Sequence, residues 1–456
     1  MTFTARQDNS TISGLDDLVA AGIDTVVGSL VNPAGLSLAK AVPTIRIGAF
    51  AYPGLGASPL WHTFTIDQVG MVFTPDFTAV GDQRVRLDVD ALRVIGDGLA
   101  WGPLAIYDQD GDPDPACSRG ALQRIESRLA AAGFDALVGH ELEFLLVAPD
   151  GGRLSTDAWA QYGLSGLLEH EAFVRDVIVD CHRAGVAIEQ FHPEYGGNQF
   201  EMSFCPDRPT AAADQLMAAR IVVSRVARRH GLRVSLSPVP FADSVGSGSH
   251  QHFSLRHAAD GRPLFSEGDH PLGLTPEGQS AIAGVLEGLP EAQALLCGSI
   301  VSGLRTLPGH WAGAYACWGT ENREASIRFV EGGPANPLGG NVEVKVIDPS
   351  ANPYLATATV LGLALDGVRR SASLPAEVVV DPSTMTEEQR RAAGVVLLPN
   401  DQSQALRRLA DSTLLRDILG NRAVDAVLAV REYEQSEYRE LDPARLAAKF
   451  RLAWSL

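Results

Sequence analysis

Short runs of apolar residues, separated by turn-forming residues, dominate the first hundred positions and predict strands. Residues 26–30 and 70–73 are two such runs, with a loop rich in Gly, Ala and Pro between them. A polar segment rich in Asp, Gly and Pro follows at residues 108–115 and is typical of a linker. We therefore interpret residues 13–107 as a small β-rich N-terminal domain.

Longer periodic segments follow the linker and predict a second, larger domain. Apolar residues at helical spacing predict helices over residues 118–133, with Ser118 as the N-cap, and over residues 171–184 and 210–230. Residues 135–147 predict a strand, and the chain from position 386 onward is expected to be largely helical. We interpret residues 115–456 as one α+β domain.

The overall composition narrows the classes of function. The 456 residues are 45% hydrophobic, enough for a substantial core, and the net charge of −18 argues against nucleic acid or an anionic membrane as the main partner. Five scattered cysteines without a CxxC pair predict reduced thiols rather than disulfides or a zinc site. The polar N-terminus and the lack of a long apolar run predict a cytoplasmic protein.

Two carboxylates stand two positions apart on the strand predicted at residues 135–147. Glu141 and Glu143 share one face of that strand, whereas Leu142 and Phe144 lie on the other. Burying neighbouring carboxylates is costly without a cation. A solvated strand face is the simpler alternative, but the apolar continuation of the strand favours a buried element and hence a cation site.

A predicted hairpin brings two further carboxylates together. The turn sequence Gly-Gly-Asn at residues 196–198 would place Glu194 close to Glu201. An exposed polar hairpin explains this segment equally well when it is taken alone.

Two more strand-like motifs carry polar side chains on one face. His250 and His252 follow a Gly-rich segment that would let a ligand approach the backbone, although an HxH pair alone is a weak signal. Residues 341–346 place Glu343 and Lys345 on one face.

Taken together, the motifs supply a set of hard ligands for metal ions. The set has five carboxylates and one imidazole: Glu141, Glu143, Glu194, Glu201, Glu343 and His250. Such ligands favour Mg²⁺ or Mn²⁺ over zinc, and six of them suit two neighbouring ions, as in phosphoryl transfer. Residues 303–328 add three arginines, which bind carboxylate and phosphate in bidentate fashion: Arg305, Arg323 and Arg328. Isolated arginines usually serve solubility, but this segment is rich in Gly and Trp.

In their order along the chain these motifs resemble those of the glutamine synthetase family. They are GHELEF, HPEYGGNQFE, GSGSHQH, LRTLPG with ENREASIR, and NVEVKVIDPSANPYLA, and the resemblance covers nearly the whole chain from about Leu15. It implies a β-grasp-like N-terminal domain over residues 13–107. It also implies a catalytic domain over residues 115–456 with a curved antiparallel sheet flanked by helices. The family forms homo-oligomers of two stacked hexameric rings, with each active site between neighbouring subunits.

The resemblance implies a role for each matching residue. One ion would be held by Glu143, Glu194 and Glu201, and the other by Glu141, His250 and Glu343. The nucleotide would contact Glu189, His252, Ser254 and Arg328. Glutamate would contact Gly246, Arg305, Arg323 and Lys345, with Arg305 and Arg323 as catalytic residues. In the family, ATP phosphorylates the γ-carboxylate of glutamate, and an amine then attacks the γ-glutamyl phosphate.

Two loops depart from the pattern of the ammonia-using members of the family. Trp311 occupies the position of an acidic residue in the loop of residues 305–312, and no acid lies in residues 52–58, where the family has an ammonium-binding Asp. Because both acids are missing, we expect an amine larger than ammonia, as in the γ-glutamylpolyamine synthetase branch. His310, Trp311 and Trp61 are candidates for an amine pocket, since aromatic faces attract cations. Packing at a subunit interface is the alternative for them.

Three competing functions remain compatible with the sequence. The chain could be an ordinary glutamine synthetase that uses ammonium, or a γ-glutamylethanolamide synthetase. A non-catalytic assembly is a third possibility, but it predicts erosion of the metal ligands, and all six are present.

Overall fold

The computed structural model describes residues 15–156 and 158–456. Within these residues, six strands form an N-terminal sheet, with the order β2-β1-β6-β4-β3 and β5 paired to β6. Only β1 and β6 among these pairs are parallel. The strands are β1 (Thr25–Val31), β2 (Ser37–Pro43), β3 (Leu55–Ala57), β4 (Gln83–Leu87), β5 (Arg93–Gly96) and β6 (Leu99–Tyr107). A separate apolar cluster that includes Val26, Phe50 and Leu104 packs against this sheet.

A nine-stranded sheet follows in the part of the chain that the structure describes. Its order is β15-β12-β13-β14-β11-β7-β9-β8, with β10 paired to β7, and only β12 and β13 are parallel. The strands are β7 (Phe134–Val147), β8 (Ile188–Pro193), β9 (Gln199–Phe204), β10 (Arg233–Ser235), β11 (Gln251–His257), β12 (Tyr315–Thr320), β13 (Ala325–Val330), β14 (Asn341–Val344) and β15 (Val396–Leu397). The long strand β7 therefore lies between β9 and β11, near the centre.

Thirteen helices form among the described residues; the first two pack in the N-terminal cluster, and most of the others contribute to the main core. They are α1 (Leu15–Ala20), α2 (Ile47–Ala51), α3 (Ser118–Ala131), α4 (Leu164–Glu169), α5 (Glu171–Arg183), α6 (Pro209–Arg229), α7 (Pro276–Leu296), α8 (Pro353–Arg370), α9 (Glu387–Ala392), α10 (Gln402–Asp411), α11 (Thr413–Leu419), α12 (Asn421–Tyr438) and α13 (Pro443–Phe450). The helices α7 and α8 pack closely, since a Cβ on Gly284 would lie 2.6 Å from the Cα of Gly367. No helix among the described residues has the length and apolar character needed to cross a bilayer.

Most of the predicted elements are confirmed. The strand expected at residues 26–30 is β1, the one at 135–147 is β7, and the three predicted helices correspond to α3, α5 and α6. The segment from residue 386 onward is largely helical, and the predicted α+β class with its sheet and helices is confirmed. The division into domains at 13–107 and 115–456 stays an interpretation, and residues 13 and 14 lie outside the described part.

The strand predicted at residues 70–73 is wrong. Only an isolated bridge between Phe64 and Met71 forms there. The reason is local: the carboxylate of Asp67 accepts hydrogen bonds from the backbone N–H groups of Val69 and Gly70, and this turn replaces a strand ladder.

The N-cap predicted for α3 is displaced by one residue. Cys117 occupies the cap position, and its Sγ accepts a hydrogen bond from the N–H of Gly120, so Ser118 is the first helical residue. A thiol is a weak acceptor, which is why the hydroxyl of Ser118 was the expected cap.

Candidate active site

The strand β7 presents two carboxylates on one face and core residues on the other. Leu142 and Phe144 are fully buried in the main core, so Glu141 and Glu143 are turned towards the opposite face. Glu143 is paired directly with Glu201 on the neighbouring strand β9. Like charges directly opposite each other destabilise a strand pair, so this arrangement calls for a cation.

A second group of ligands forms where β7, β11 and β14 meet. The backbone N–H of Glu141 donates to the carbonyl of His250 at 2.9 Å, which fixes the imidazole beside the carboxylate. The Nδ1 atom of His250 lies 2.8 Å from Oε2 of Glu141 and 3.3 Å from Oε1 of Glu343. One ligand atom from each of these three residues lies within 4.8 Å of the other two. This is one of the two ligand sets that the resemblance implied.

The hairpin of β8 and β9 brings the remaining carboxylates to the same place. Glu194 follows β8 directly, and Glu201 lies on β9. Glu201 forms one 4.8 Å group with Glu143 and His250, and a second with Glu194 and His192. The predicted trio of Glu143, Glu194 and Glu201 is therefore linked through Glu201. Its role in binding an ion stays a prediction.

His192 is a site residue that the sequence reasoning missed. Its Nδ1 lies 3.3 Å from Oε1 of Glu194, and its Nε2 lies 3.3 Å from Oε1 of Glu201. The signal was available, because His192 stands two positions before Glu194 and is paired with Glu201 across the hairpin.

Four of the five carboxylates divide into two electrostatic environments. Burial, together with the charges of Glu141 and Glu143, raises the pKa of Glu201 well above its usual range. Burial and the charge of Glu143 also raise the pKa of Glu194. These two carboxylates thus lack enough positive charge nearby, and a divalent cation would supply it.

The other two carboxylates are already compensated. Burial acts to raise the pKa of Glu343, but Lys345 and His250 outweigh it and lower the value to about 2. Likewise, hydrogen bonds from His250 and His252 hold the pKa of Glu141 well below its usual range despite burial. Oxygen ligands with one imidazole nitrogen fit Mg²⁺ or Mn²⁺.

Basic side chains line the same cavity. The guanidinium of Arg305 is buried and donates to the carbonyls of Lys345 and Val346, both at 3.1 Å. Lys345 Nζ lies 2.8 Å from Oε1 of Glu343, and an Nη atom of Arg328 lies 3.2 Å from its Oε2. These contacts hold the basic side chains at the place where anionic ligands would bind.

A cavity of about 270 Å³ collects most of the predicted residues. It is lined by the six predicted metal ligands and also by Gly246, Arg305, Arg323, Arg328, Lys345, His310 and Trp311. Among the lining residues that were not predicted are Tyr162 and Tyr195. Tyr195 adjoins Glu194 in the sequence, which was a signal, but Tyr162 lies in a segment without periodicity and gave none.

Four predicted contacts do not line this cavity. Glu189 is exposed on β8, and Ser254 is half-buried on β11. His252 is bonded instead to Glu141 at 3.2 Å and to Asn341 at 2.8 Å. Trp61 packs in the N-terminal sheet, with Lys40 Nζ 5.5 Å from its ring centroid. The roles of these residues stay predictions, and that of Trp61 would require a neighbouring subunit.

Comparisons with known proteins agree with this geometry. Residues 115–445 match the family profile described as the catalytic domain of glutamine synthetase. The chain is 37% identical over 446 residues to the γ-glutamylpolyamine synthetase GlnA3 of Streptomyces coelicolor, covering 95% of this chain and 94% of the relative. It is 32% identical over 367 residues to a glutamine synthetase of Clostridium saccharobutylicum, covering 78% and 82% of the two chains.

Solved structures give the same result. A crystal structure described as a novel glutamine synthase homolog superposes with a TM-score of 0.85 at 28% identity, covering 95% of this chain and 99% of the other. GmaS in complex with ADP superposes with a TM-score of 0.82 at 25% identity, covering 94% and 96%. With the family profile matched over the larger sheet and its helices, the chain belongs to the glutamine synthetase family, a family of ATP-dependent ligases.

Proposed function

We propose that the protein joins the γ-carboxylate of glutamate to an amine larger than ammonia, with ATP as the energy source and γ-glutamyl phosphate as the intermediate. The amine would be a polyamine such as putrescine or spermidine, or another small primary amine. The observation that carries this choice is the position of Trp311, which lines the cavity at the place of an expected acid. The ring of Trp311 lies 4.9 Å from that of Tyr195, so this part of the cavity is aromatic.

The residues present fit two divalent ions. We assign Glu141, His250 and Glu343, which form one group of ligand atoms, to one ion. We assign Glu143, Glu194 and Glu201 to the other; Glu201 groups with Glu143 and, separately, with Glu194. When bound, Mg²⁺ or Mn²⁺ would neutralise the phosphate charges and lower the electrostatic barrier to phosphoryl transfer.

The arginines would bind the anionic substrates. Arg305, held by two backbone carbonyls, presents its guanidinium at a fixed position for the carboxylate of glutamate. Arg323 is exposed at the cavity and would meet the transferring phosphoryl group, whose charge grows in the transition state. Phosphorylation turns the γ-carboxylate into an acyl phosphate. An uncharged amine nitrogen can then attack the acyl carbon, and phosphate leaves.

The name of the Streptomyces relative supports the polyamine assignment, because the two chains match over nearly their full lengths. The name of the Clostridium relative favours the alternative, an ordinary glutamine synthetase using ammonium. A γ-glutamylethanolamide synthetase is the other alternative.

A phosphate-release assay separates these functions. The protein would be incubated with ATP, Mg²⁺ and glutamate plus ammonium, putrescine, spermidine, spermine or ethanolamine, and the γ-glutamyl product identified by mass spectrometry. We expect release that depends on both glutamate and a polyamine, with little release with ammonium. Strong turnover with ammonium and none with any larger amine would refute the proposal. Reactions lacking glutamate control for simple ATP hydrolysis.

Two further expectations belong to this proposal. We propose a homo-oligomer in the form of a double hexameric ring, which mass photometry would test directly. We also propose a cytoplasmic location, which cell fractionation would test.

A further inference from the structure

A buried carboxylate holds the loop that carries Trp311. Glu324 lies just before β13 and is only 4% exposed. Its Oε1 accepts a hydrogen bond from the backbone N–H of Trp311 at 2.9 Å. Trp311 has a φ of +52°, in the left-handed region that a residue with a bulky side chain rarely adopts. The hydrogen bond to Glu324 therefore supports a backbone conformation that the chain would not favour by itself.

In this conformation the indole of Trp311 is one of three neighbouring aromatic rings. The side chain of Trp311 meets Tyr195 edge-to-face at 4.9 Å, and Tyr195 meets Tyr162 edge-to-face at 6.1 Å. We call these three residues the aromatic wall. The loop around Trp311 contains Gly309 and Gly313, both with positive φ, so it has little stiffness of its own.

The aromatic wall lies at the acidic end of the cavity. The N–H of Tyr195 donates to Oε2 of Glu194 at 3.2 Å. Burial raises the pKa of the Tyr162 hydroxyl, and the charges of Glu194 and Glu201 raise it further. The basic side chains Arg328 and Lys345 instead pair with Glu343. The ring faces of the wall suit an organic cation, whereas the basic end suits anions.

The second oxygen of Glu324 has no hydrogen-bond partner among the described residues, although it is buried. Burial raises the pKa of this carboxyl above its usual value. A buried carboxylate with one unsatisfied oxygen costs free energy of folding. The single hydrogen bond to the N–H of Trp311 is a small return for that cost. This cost indicates that the position of the loop matters for more than stability.

We propose that Glu324 is a positioning residue that sets the amine preference. By holding Trp311 against Tyr195, it keeps the aromatic wall closed around the alkyl chain of a cationic amine. The inference rests on the proposed function, because it assigns a residue to the selection of that amine.

Hydrogen–deuterium exchange tests the positioning without any substrate. The peptide covering residues 307–313 would be followed in the wild type, in Glu324→Ala and in Glu324→Gln. We expect faster exchange in the alanine variant only, because the glutamine amide oxygen keeps the acceptor. Glu377→Ala is a matched control, since Oε1 of Glu377 accepts the N–H of Thr320 at 2.6 Å, at the other end of β12. Unchanged exchange in Glu324→Ala would overturn the proposal.

Steady-state kinetics test the consequence for specificity. We expect Glu324→Ala and Trp311→Ala each to raise KM for the preferred amine about tenfold, as for loss of a cation–π contact. KM for ATP and glutamate should change less than about twofold, and the double variant should be no worse than Trp311→Ala, since both changes remove one feature. Glu324→Gln and Glu377→Ala should keep the wild-type KM.

The possible failures are distinguishable. If KM rises equally for all three substrates, or if Glu324→Gln is as impaired as Glu324→Ala, Glu324 does not act by positioning the wall. If the wild type turns over only ammonium, the proposed function fails, and the assignment of Glu324 to amine selection fails with it. Turnover of a polyamine with an unchanged KM in Glu324→Ala would overturn the inference alone.

Discussion

Replacing Glu343 by alanine should leave the buried positive charge of Lys345 without its partner. This carboxylate is 1% exposed and lies 2.8 Å from Nζ of Lys345, which is itself 4% exposed. At an effective dielectric constant of about 20, unit charges at that distance attract each other by about 6 kcal/mol, which the cost of desolvation partly offsets. Truncating one partner of such a buried pair costs about 3–5 kcal/mol, because the other charge stays buried. We therefore expect Glu343→Ala to lose about that much stability.

The assay is urea unfolding at pH 7 with EDTA, at one protein concentration because an oligomer is expected. Glu343→Ala should unfold at a clearly lower urea concentration, and the double change with Lys345→Met should recover most of the loss. Glu321→Ala is the control: Glu321 also pairs with Arg328 but is exposed, so its loss should cost less than about 1 kcal/mol.

The same unfolding experiment, repeated with Mg²⁺ in place of EDTA, tests the metal role of Glu343. Mg²⁺ at about 100 times its Kd should stabilise the wild type by about 2.7 kcal/mol, and the variant by much less. The reasoning is refuted if Glu343→Ala unfolds with the wild-type midpoint, or if Lys345→Met restores nothing. An equal gain from Mg²⁺ in both proteins would refute the metal role of Glu343.

Three other predictions follow from single contacts. Glu194→Ala should abolish phosphate release while leaving the circular dichroism spectrum unchanged; near-normal turnover would contradict its assignment as a metal ligand. Gly248→Ala should lower turnover about 100-fold, because the new Cβ would lie 2.5 Å from His250 Nε2, whereas Gly48→Ala meets nothing within 4 Å and should be neutral. Asp67→Asn should cost about 1–3 kcal/mol at pH 7, since this carboxylate accepts hydrogen bonds from two tyrosine hydroxyls. Hydrogen bonds also lower the pKa of Asp67 against the effect of burial, so this loss should persist above the unfolded pKa of about 3.9 and shrink as the pH falls towards the folded value; a loss independent of pH would contradict it.

The strand-borne part of the site could be predicted because side chains alternate on a strand. Glu141 and Glu143 share a face of β7, and the turn at residues 196–198 fixes which residues of the hairpin meet. The same alternation indicates His192, which stands two positions before Glu194 and was not among the predicted ligands. Local rules were sufficient for these residues because each interaction spans one strand or one hairpin.

Two loop residues, Tyr162 and Glu324, could not be predicted, because their positions depend on contacts between segments distant in sequence. Nothing near Tyr162 indicates that its ring would approach Tyr195, 33 positions further along the chain. Glu324 looks like an exposed residue in a charged motif, yet the loop of Trp311 covers it. The error at residues 70–73 has a related cause, since the turn made by Asp67 outweighed the strand propensity of the following residues.

The predicted metal ligands lie mostly on strands, whereas the aromatic residues of the cavity lie in loops, which are less rigid. Four of the six predicted metal ligands are on, or directly next to, the central strands β7, β11 and β14. A shift of one residue in the pairing of these strands would turn the ligands into the core. Tyr195 and Trp311 lie instead in connecting segments, where exchanges and insertions are tolerated. Substrate range in such a protein can therefore diversify through its connecting segments while the phosphorylation chemistry is inherited unchanged.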